Sequence, residues 1–168
     1  RSGSLESSPA LPTLWEHMFV LGIDPGLSTL GYGLVEARGH NLNARAAGVI
    51  RTNSGASVGI RLAELYRDID ALLTEYRPDQ AAIEQVFVNR NLQTATSVGR
   101  ASGVVLLTLA QHGLPVAEYS PSAVKRALTG YGNADKTQMQ RVVAMRLGLA
   151  DAPSPADAAD ALAIALCH

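Results

Sequence analysis

The chain has 168 residues, 47% apolar and 17% charged, which suits one compact domain with a buried core and leaves too little for two catalytic domains. Fourteen Lys and Arg against fifteen Asp and Glu give a net charge of −1, so overall charge names no polyanionic partner. One cysteine, Cys167, excludes an internal disulfide and a thiolate zinc site, and no apolar run reaches membrane-spanning length; both point to a cytoplasmic protein with no membrane partner.

Residues 1–17 lack an initiating Met and are rich in Ser and Pro, so they are expected to be a tag or disordered leader, with the folded domain over 18–168. Without them Arg1, Glu6 and Glu16 are lost, leaving thirteen charges of each sign. The apolar run Phe19–Ile23 stops at Asp24-Pro-Gly26 and reads as a buried central strand ended by a turn. Thr29–Ala37 and Leu42–Thr52, separated by Arg38-Gly-His-Asn41, continue it as an antiparallel meander. Over Val58–Tyr76 apolar residues recur near a 3.6 period, which predicts a helix that Pro78 and Asp79 terminate. Gln80–Gln85 is a fourth strand, reached by a helical crossover and so expected to lie parallel to a neighbour.

Asn91–His112 predicts a long helix whose only charge is Arg100, with Gly99 and Gly103 one turn apart. Interior glycines are unfavourable by about 1 kcal/mol each relative to Ala, so some close backbone approach should profit from them. Pro115–Tyr119 is a fifth strand, and Ser120-Pro121 opens a short helix reaching Leu128. Asp135 with Gln138 opens another running to Leu147, and Ser154-Pro155 opens a last, alanine-rich one. The order β-β-β-α-β-α-β-α-α-α predicts an α/β fold of the RNase H-like kind: a five-stranded mixed sheet, three antiparallel strands then parallel crossovers, with helices on both faces.

Charge is distributed unevenly. Residues 85–146 carry seven bases (Arg90, Arg100, Lys125, Arg126, Lys136, Arg141, Arg146) and two acids, Glu118 and Asp135, whereas only acids follow Arg146. That places a basic middle against an acidic end, a pattern suited to holding a polyanion beside carboxylates.

Asp24 and Glu84 each end a strand. If those strands run parallel and adjacent, both carboxylates emerge at the carboxyl edge, where α/β proteins bind ligands. Asp157 and Asp160 are three apart and share a helix face. Four converging carboxylates repel, and a hard divalent cation relieves them; with no His or Cys among them, Mg2+ or Mn2+ suits the set better than zinc. Two such ions would activate water and stabilise the leaving oxygen of a phosphodiester. Each acid also has a bland account: Asp24-Pro-Gly is an ordinary turn, Glu84 a solvated strand end, and Asp157 the acid of a near capping box begun by Ser154, which leaves Asp160 exposed.

Gly22-Ile-Asp-Pro-Gly26, Ala82-Ile-Glu-Gln-Val-Phe87 and Asp157-Ala-Ala-Asp-Ala-Leu-Ala-Ile164 together resemble, in order and spacing, the RuvC family of Holliday-junction resolvases. The resemblance covers Met18–His168 and makes residues 18–168 an RNase H-like nuclease domain. It implies a homodimeric, Mg2+-dependent endonuclease, with Mn2+ as a substitute and two ions per site, that cuts opposed strands of four-way junction DNA in recombination and repair beside a RuvA/RuvB branch-migration complex. It makes Asp24, Glu84, Asp157 and Asp160 the catalytic, metal-binding acids. Some relatives carry His where Asp157 stands, and the basic tail of others is not in this sequence. Lys125 and Lys136, the only lysines, fall on positions for DNA or phosphate contact; Lys136 also counts among the catalytic residues. It sits against the helix dipole at a helix start, whereas Lys125 lies near a helix carboxyl end, where a cation is locally favourable. Arg90, Arg100, Arg126 and Tyr131 are further candidate DNA contacts, with solvated surface or local packing as the alternative for each. Phe87, one of two phenylalanines, is expected either to stack on bases from a loop or to cap the core. The glycine-bearing helix is the candidate dimer contact, with packing on its own sheet as the competing account. His40, His112 and Cys167 read as structural or surface positions.

Two other function classes fit parts of the sequence. Gly22–Thr29 also resembles the first phosphate loop of actin-like and Hsp70-like ATPases, which need two such domains around a nucleotide. A junction-binding module without catalysis is the other.

Overall fold

A computed structural model describes residues 17–87 and 91–168; the expected leader, apart from His17, and Arg90 lie outside the described residues. The elements follow the expected order: β1 (Met18–Asp24), β2 (Thr29–Arg38), β3 (Asn41–Arg51), α1 (Val58–Tyr76), β4 (Gln80–Glu84), α2 (Leu92–Gln111), β5 (Val116–Tyr119), α3 (Pro121–Thr129), α4 (Lys136–Arg146) and α5 (Ala156–Cys167). The sheet order is β3-β2-β1-β4-β5. β1 pairs antiparallel with β2 and parallel with β4, which in turn pairs parallel with β5. This is the predicted mixed sheet.

Alternation along the strands sorts side chains onto two faces. Leu21, Ile23, Leu34, Ala81 and Ile83 point to one face and are buried against Leu65, Ile69 and Leu73 of α1 and Ala101, Val105 and Leu109 of α2. Val20, Val35 and Ala82 point to the other, buried with Val124 and Leu128 of α3, Met139 and Val143 of α4, and Leu162 and Ile164 of α5. Each fully buried Leu or Ile contributes about 1.5–3 kcal/mol of transfer free energy. The two layers are thus fixed by the strand pattern.

Helix ends are mostly set by local chemistry. The Gln138 backbone N–H donates to Asp135 Oδ1 (2.8 Å) while the Asp135 N–H donates to Gln138 Oε1 (3.0 Å), a reciprocal cap for α4. Ser120 accepts from the Ala123 N–H (3.1 Å) at the start of α3, with Pro121 following it. The cap expected from Ser154 does not form: α5 starts after Pro155 with no side-chain cap, and Asp157 lies in its first turn, where an acid complements the helix dipole. Lys125 lies in the middle of α3, and it is Arg126 that occupies the last turn, so the dipole account of Lys125 falls away.

Candidate active site

Asp24 is the last residue of β1 and Glu84 the last of β4, one step beyond the Ile23–Ile83 register pair. By the period of two, both side chains leave on the face that carries α3, α4 and α5, at the carboxyl edge of the two parallel strands.

The approach of α5 to that edge is set by glycine. A Cβ built on Gly22 would lie 2.1 Å from Ala161 O, on Gly31 2.1 Å from Asp157 O, and on Gly33 2.7 Å from Leu162 N. Gly22 and Gly33 face each other across the β1–β2 ladder, and Gly31 is the register partner of Asp24. Three glycines on adjacent strands therefore clear a strip on which the backbone of α5, lined by Ala158, Ala161 and Ala165, rests directly. The first turn of α5 consequently ends beside Asp24. The glycines in Gly22-Ile-Asp24 and Gly31-Tyr-Gly33 carry this information in the sequence, since strand interiors seldom hold glycine without a reason.

Carboxylate oxygens of Asp24, Asp157 and Asp160 lie within 4.8 Å of one another. Glu84 stands beside this trio, lining one cavity with Asp24 and another with Asp160. Burial, then the charges of Glu84, Asp160 and Asp157, push the Asp24 carboxyl from 3.8 up to about 7, against a smaller pull from Lys136. Burial and the charge of Asp160 also raise Glu84, opposed by Lys125. Asp160 rises through burial and Asp157, opposed by the charge and hydrogen bond of Lys136. Lys136 Nζ donates to Asp160 Oδ2 at 3.4 Å, so the cation placed against its helix dipole finds its compensation across the site. Three acids in one small volume, two of them raised, form an all-oxygen donor set that fits a hard divalent cation. None of the four is fully solvated; Asp24 does end its strand at a turn and Asp157 does sit in the first turn of α5, so each keeps a local role beside its place in the cluster.

Two cavities flank the acids. One of about 430 Å³ is lined by Asp24, Glu84, Phe87, Asn91 and Thr94; Phe87 is 52% exposed, so it caps no core and offers its ring to the cleft. The other, about 220 Å³, brings Lys125 and Lys136 together with Glu84 and Asp160. Arg126 is exposed and Tyr131 is 44% exposed at the α3–α4 turn, Arg100 is exposed on α2, and none of the three lines either cavity. His112 joins α2 to α1 through Asp70 (2.7 Å), the structural role expected of it.

A family model described as crossover junction endodeoxyribonuclease RuvC matches residues 20–168. A curated relative of that name from Chloroflexus aggregans is 52% identical, covering 90% of this chain and 92% of its own; one from Heliobacterium modesticaldum is 49% identical, covering 89% and 93%. Among solved structures, the chain is similar to the one titled "T. thermophilus RuvC in complex with Holliday junction substrate", with a TM-score of 0.85 and 38% identity over 90% of this chain and 93% of that one. The yeast mitochondrial Holliday junction resolvase Ydc2, 13% identical at a TM-score of 0.65 over 93% and 81%, shares the fold.

Proposed function

The chain belongs to the RuvC family of crossover junction endodeoxyribonucleases, resolvases of four-way DNA junctions, and from that premise we propose how its own residues do the work. The observation that carries the reading is the convergence of Asp24, Asp157 and Asp160 within 4.8 Å, beside Glu84 and an exposed Phe87. Asp24, Asp157 and Asp160 would hold one divalent cation, and Asp24 with Glu84 would face a second. When bound, Mg2+ supplies water activation and offsets charge on the departing oxygen of an in-line phosphodiester hydrolysis, and Mn2+ can replace it.

The remaining steps belong to the chain. Asp24, Glu84 and Asp160, all raised by burial, must give up their protons to act as donors, which makes cation binding pH-dependent. Lys136 and Lys125 offset negative charge on the side of the site where the phosphate arrives. Phe87 stacks on a base at the opened crossover, an interaction of about 1–3 kcal/mol. Arg100, Arg126 and Tyr131 contribute phosphate contacts away from the reacting atoms, and Arg90, outside the described residues, a further one, giving affinity with little sequence information.

A junction is approximately two-fold symmetric, and paired cuts need two sites related by a dyad. We assign the dimer contact to the outer face of α2. Leu92 and Leu107 are 70% and 55% exposed there, and a Cβ on Gly99 or Gly103 would meet nothing within 4 Å among the described residues. Packing on the chain's own sheet uses Ala101, Val105 and Leu109 and leaves those glycines open. A RuvA/RuvB complex is the expected branch-migration partner, and the protein works in the cytoplasm with the DNA; no described helix is long and apolar enough to cross a membrane.

The test is a synthetic four-way junction against linear duplex of the same sequence, with and without Mg2+, mapping nicks on all four strands. Symmetric, Mg2+-dependent nicks on two opposed strands are expected. Binding without nicking would favour the non-catalytic module, and ATP hydrolysis without nicking the actin-like reading.

A further inference from the structure

The turn after Asp24 is held from outside the acidic cluster. Arg61, in the first turns of α1, donates from Nε to Thr52 Oγ1 (2.9 Å) and from Nη2 to Ser28 Oγ (2.7 Å). Thr52 is buried and donates its own hydroxyl to the Leu27 carbonyl (2.6 Å), while its N–H donates to Ser28 O (3.3 Å). A guanidinium has five N–H donors, and these hydroxyls take two. Among the described residues no carboxylate pairs with Arg61, in contrast to Arg38 and Arg45, which share Glu36.

Arg61 forms one wall of a cleft of about 420 Å³ whose other polar walls are Ser28, Thr29, Gln93, Thr94 and Ser97. No acid lines it. Thr94 and Val98 are shared with the cavity that holds Asp24, Glu84 and Phe87, so the two adjoin along α2. Neither α1 nor α2 has an acid in its first turn, so the helix dipoles add positive potential to that of the guanidinium. Ser28 is four residues from Asp24, at most about 14 Å of chain. That length corresponds to about four phosphates of one strand at roughly 3.4 Å of helix axis each.

We infer that this cleft is a second phosphate subsite, in which Arg61 grips a DNA backbone phosphodiester a few nucleotides from the one that is cut. The inference rests on the nuclease reading above and adds a contact on the α1 side of the sheet edge, away from the lysines of α3 and α4. Its effect is to fix the direction in which the strand crosses the acids. Because Arg61 also pins the loop carrying Ser28, a positional role without phosphate contact is the account to exclude.

The experiment measures equilibrium binding of a fluorescent four-way junction in EDTA across a salt series, for the parent, Arg61→Gln, Arg61→Lys and Ser97→Glu, with thermal melts of each. Loss of one phosphate contact lowers the slope of log K against log salt by about 0.9. Arg61→Gln should show that drop with roughly tenfold weaker binding, and Arg61→Lys should retain the parent slope. Ser97→Glu, which removes neither hydrogen-bond partner of Arg61, should weaken binding at least as much, because it sets a negative charge on the wall of the same cleft. Parent slope and affinity in both Arg61→Gln and Ser97→Glu would overturn the subsite, as would weakening of Arg61→Gln that tracks a lowered melting temperature while Ser97→Glu binds as the parent does. Nicking by the parent in Mg2+ is followed alongside: if the parent nicks while the subsite predictions fail, only the subsite is lost, and a parent that nicks nothing removes the nuclease reading beneath it.

Discussion

At Asp24 the fold holds a carboxyl at about 7 that ionises near 3.8 when solvated. Between those values the native state keeps a proton that the unfolded chain releases, so this group's contribution to stability falls as pH rises from about 4 to 7, by an amount of order 4 kcal/mol. Metal-free protein should therefore melt lower at pH 7.5 than at pH 5, and Asp24→Asn should flatten that dependence. At pH 7.5 without metal, Asp24→Asn should melt roughly 4–8 °C above the parent if about 2 kcal/mol of repulsion and desolvation is relieved. Mg2+ should then stabilise the parent more than the variant, nicking by the variant should fall to background, and junction binding should be largely retained; equal loss of binding and nicking in a gel-shift comparison would contradict the assignment. Protons and cation compete for the same oxygens, so at limiting Mg2+ the nicking rate should rise with pH through about 7 and its midpoint should move down as Mg2+ is raised. A midpoint indifferent to Mg2+ would count against Asp24 as a ligand. The acids themselves were legible as strand ends and a three-residue helix spacing. Arg61 was not, because a lone arginine in an amphipathic helix looks like any solvated cation until the turn it holds is seen.

The element on which the site depends is α5, brought to the sheet without intervening side chains. Gly31→Ala would set a methyl 2.1 Å from Asp157 O, where only backbone can give way. Overpacking of this kind destabilises by about 1–3 kcal/mol. A shift of about 1 Å in a catalytic group can cost on the order of 10²-fold in rate. Gly31→Ala should accordingly lose nicking by about two orders of magnitude at a temperature where it remains folded, while its junction affinity stays near the parent's; melting curves and nicking rates measured together would test this, and full activity would show that Asp157 does not need the close approach. The order of elements, their approximate ends and the helix role of Asp135 followed from periodicity and capping residues. The glycines mark a close approach in the sequence but not its partner, because the strip joins β1 and β2 to a helix more than 120 residues further on and no local pattern connects them.

For the whole molecule, the proposed dimer contact on the open face of α2 would set whether two sites act together. Leu107→Glu places a charge on an exposed position opposite the helix's buried side, so it should leave the fold intact while dispersing a dimer. Sedimentation should then give monomers, and cut mapping should give single nicks where the parent gives paired ones. A monomeric parent that still makes paired cuts would remove α2 from this role.

Sequence by itself determined the order of elements, the strand-end positions of Asp24 and Glu84 and the shared helix face of Asp157 and Asp160, because hydrophobic period and spacing are local properties of the chain; that the four form one set was what the family resemblance implied. Tertiary structure decided that three of those acids crowd together with Glu84 just beside them, that Phe87 is displayed and not buried, and that Arg61 lines a cleft adjoining theirs. Distances between elements far apart in sequence depend on how closely two backbones can pack, and that is settled by the space left between them once all the side chains have been placed.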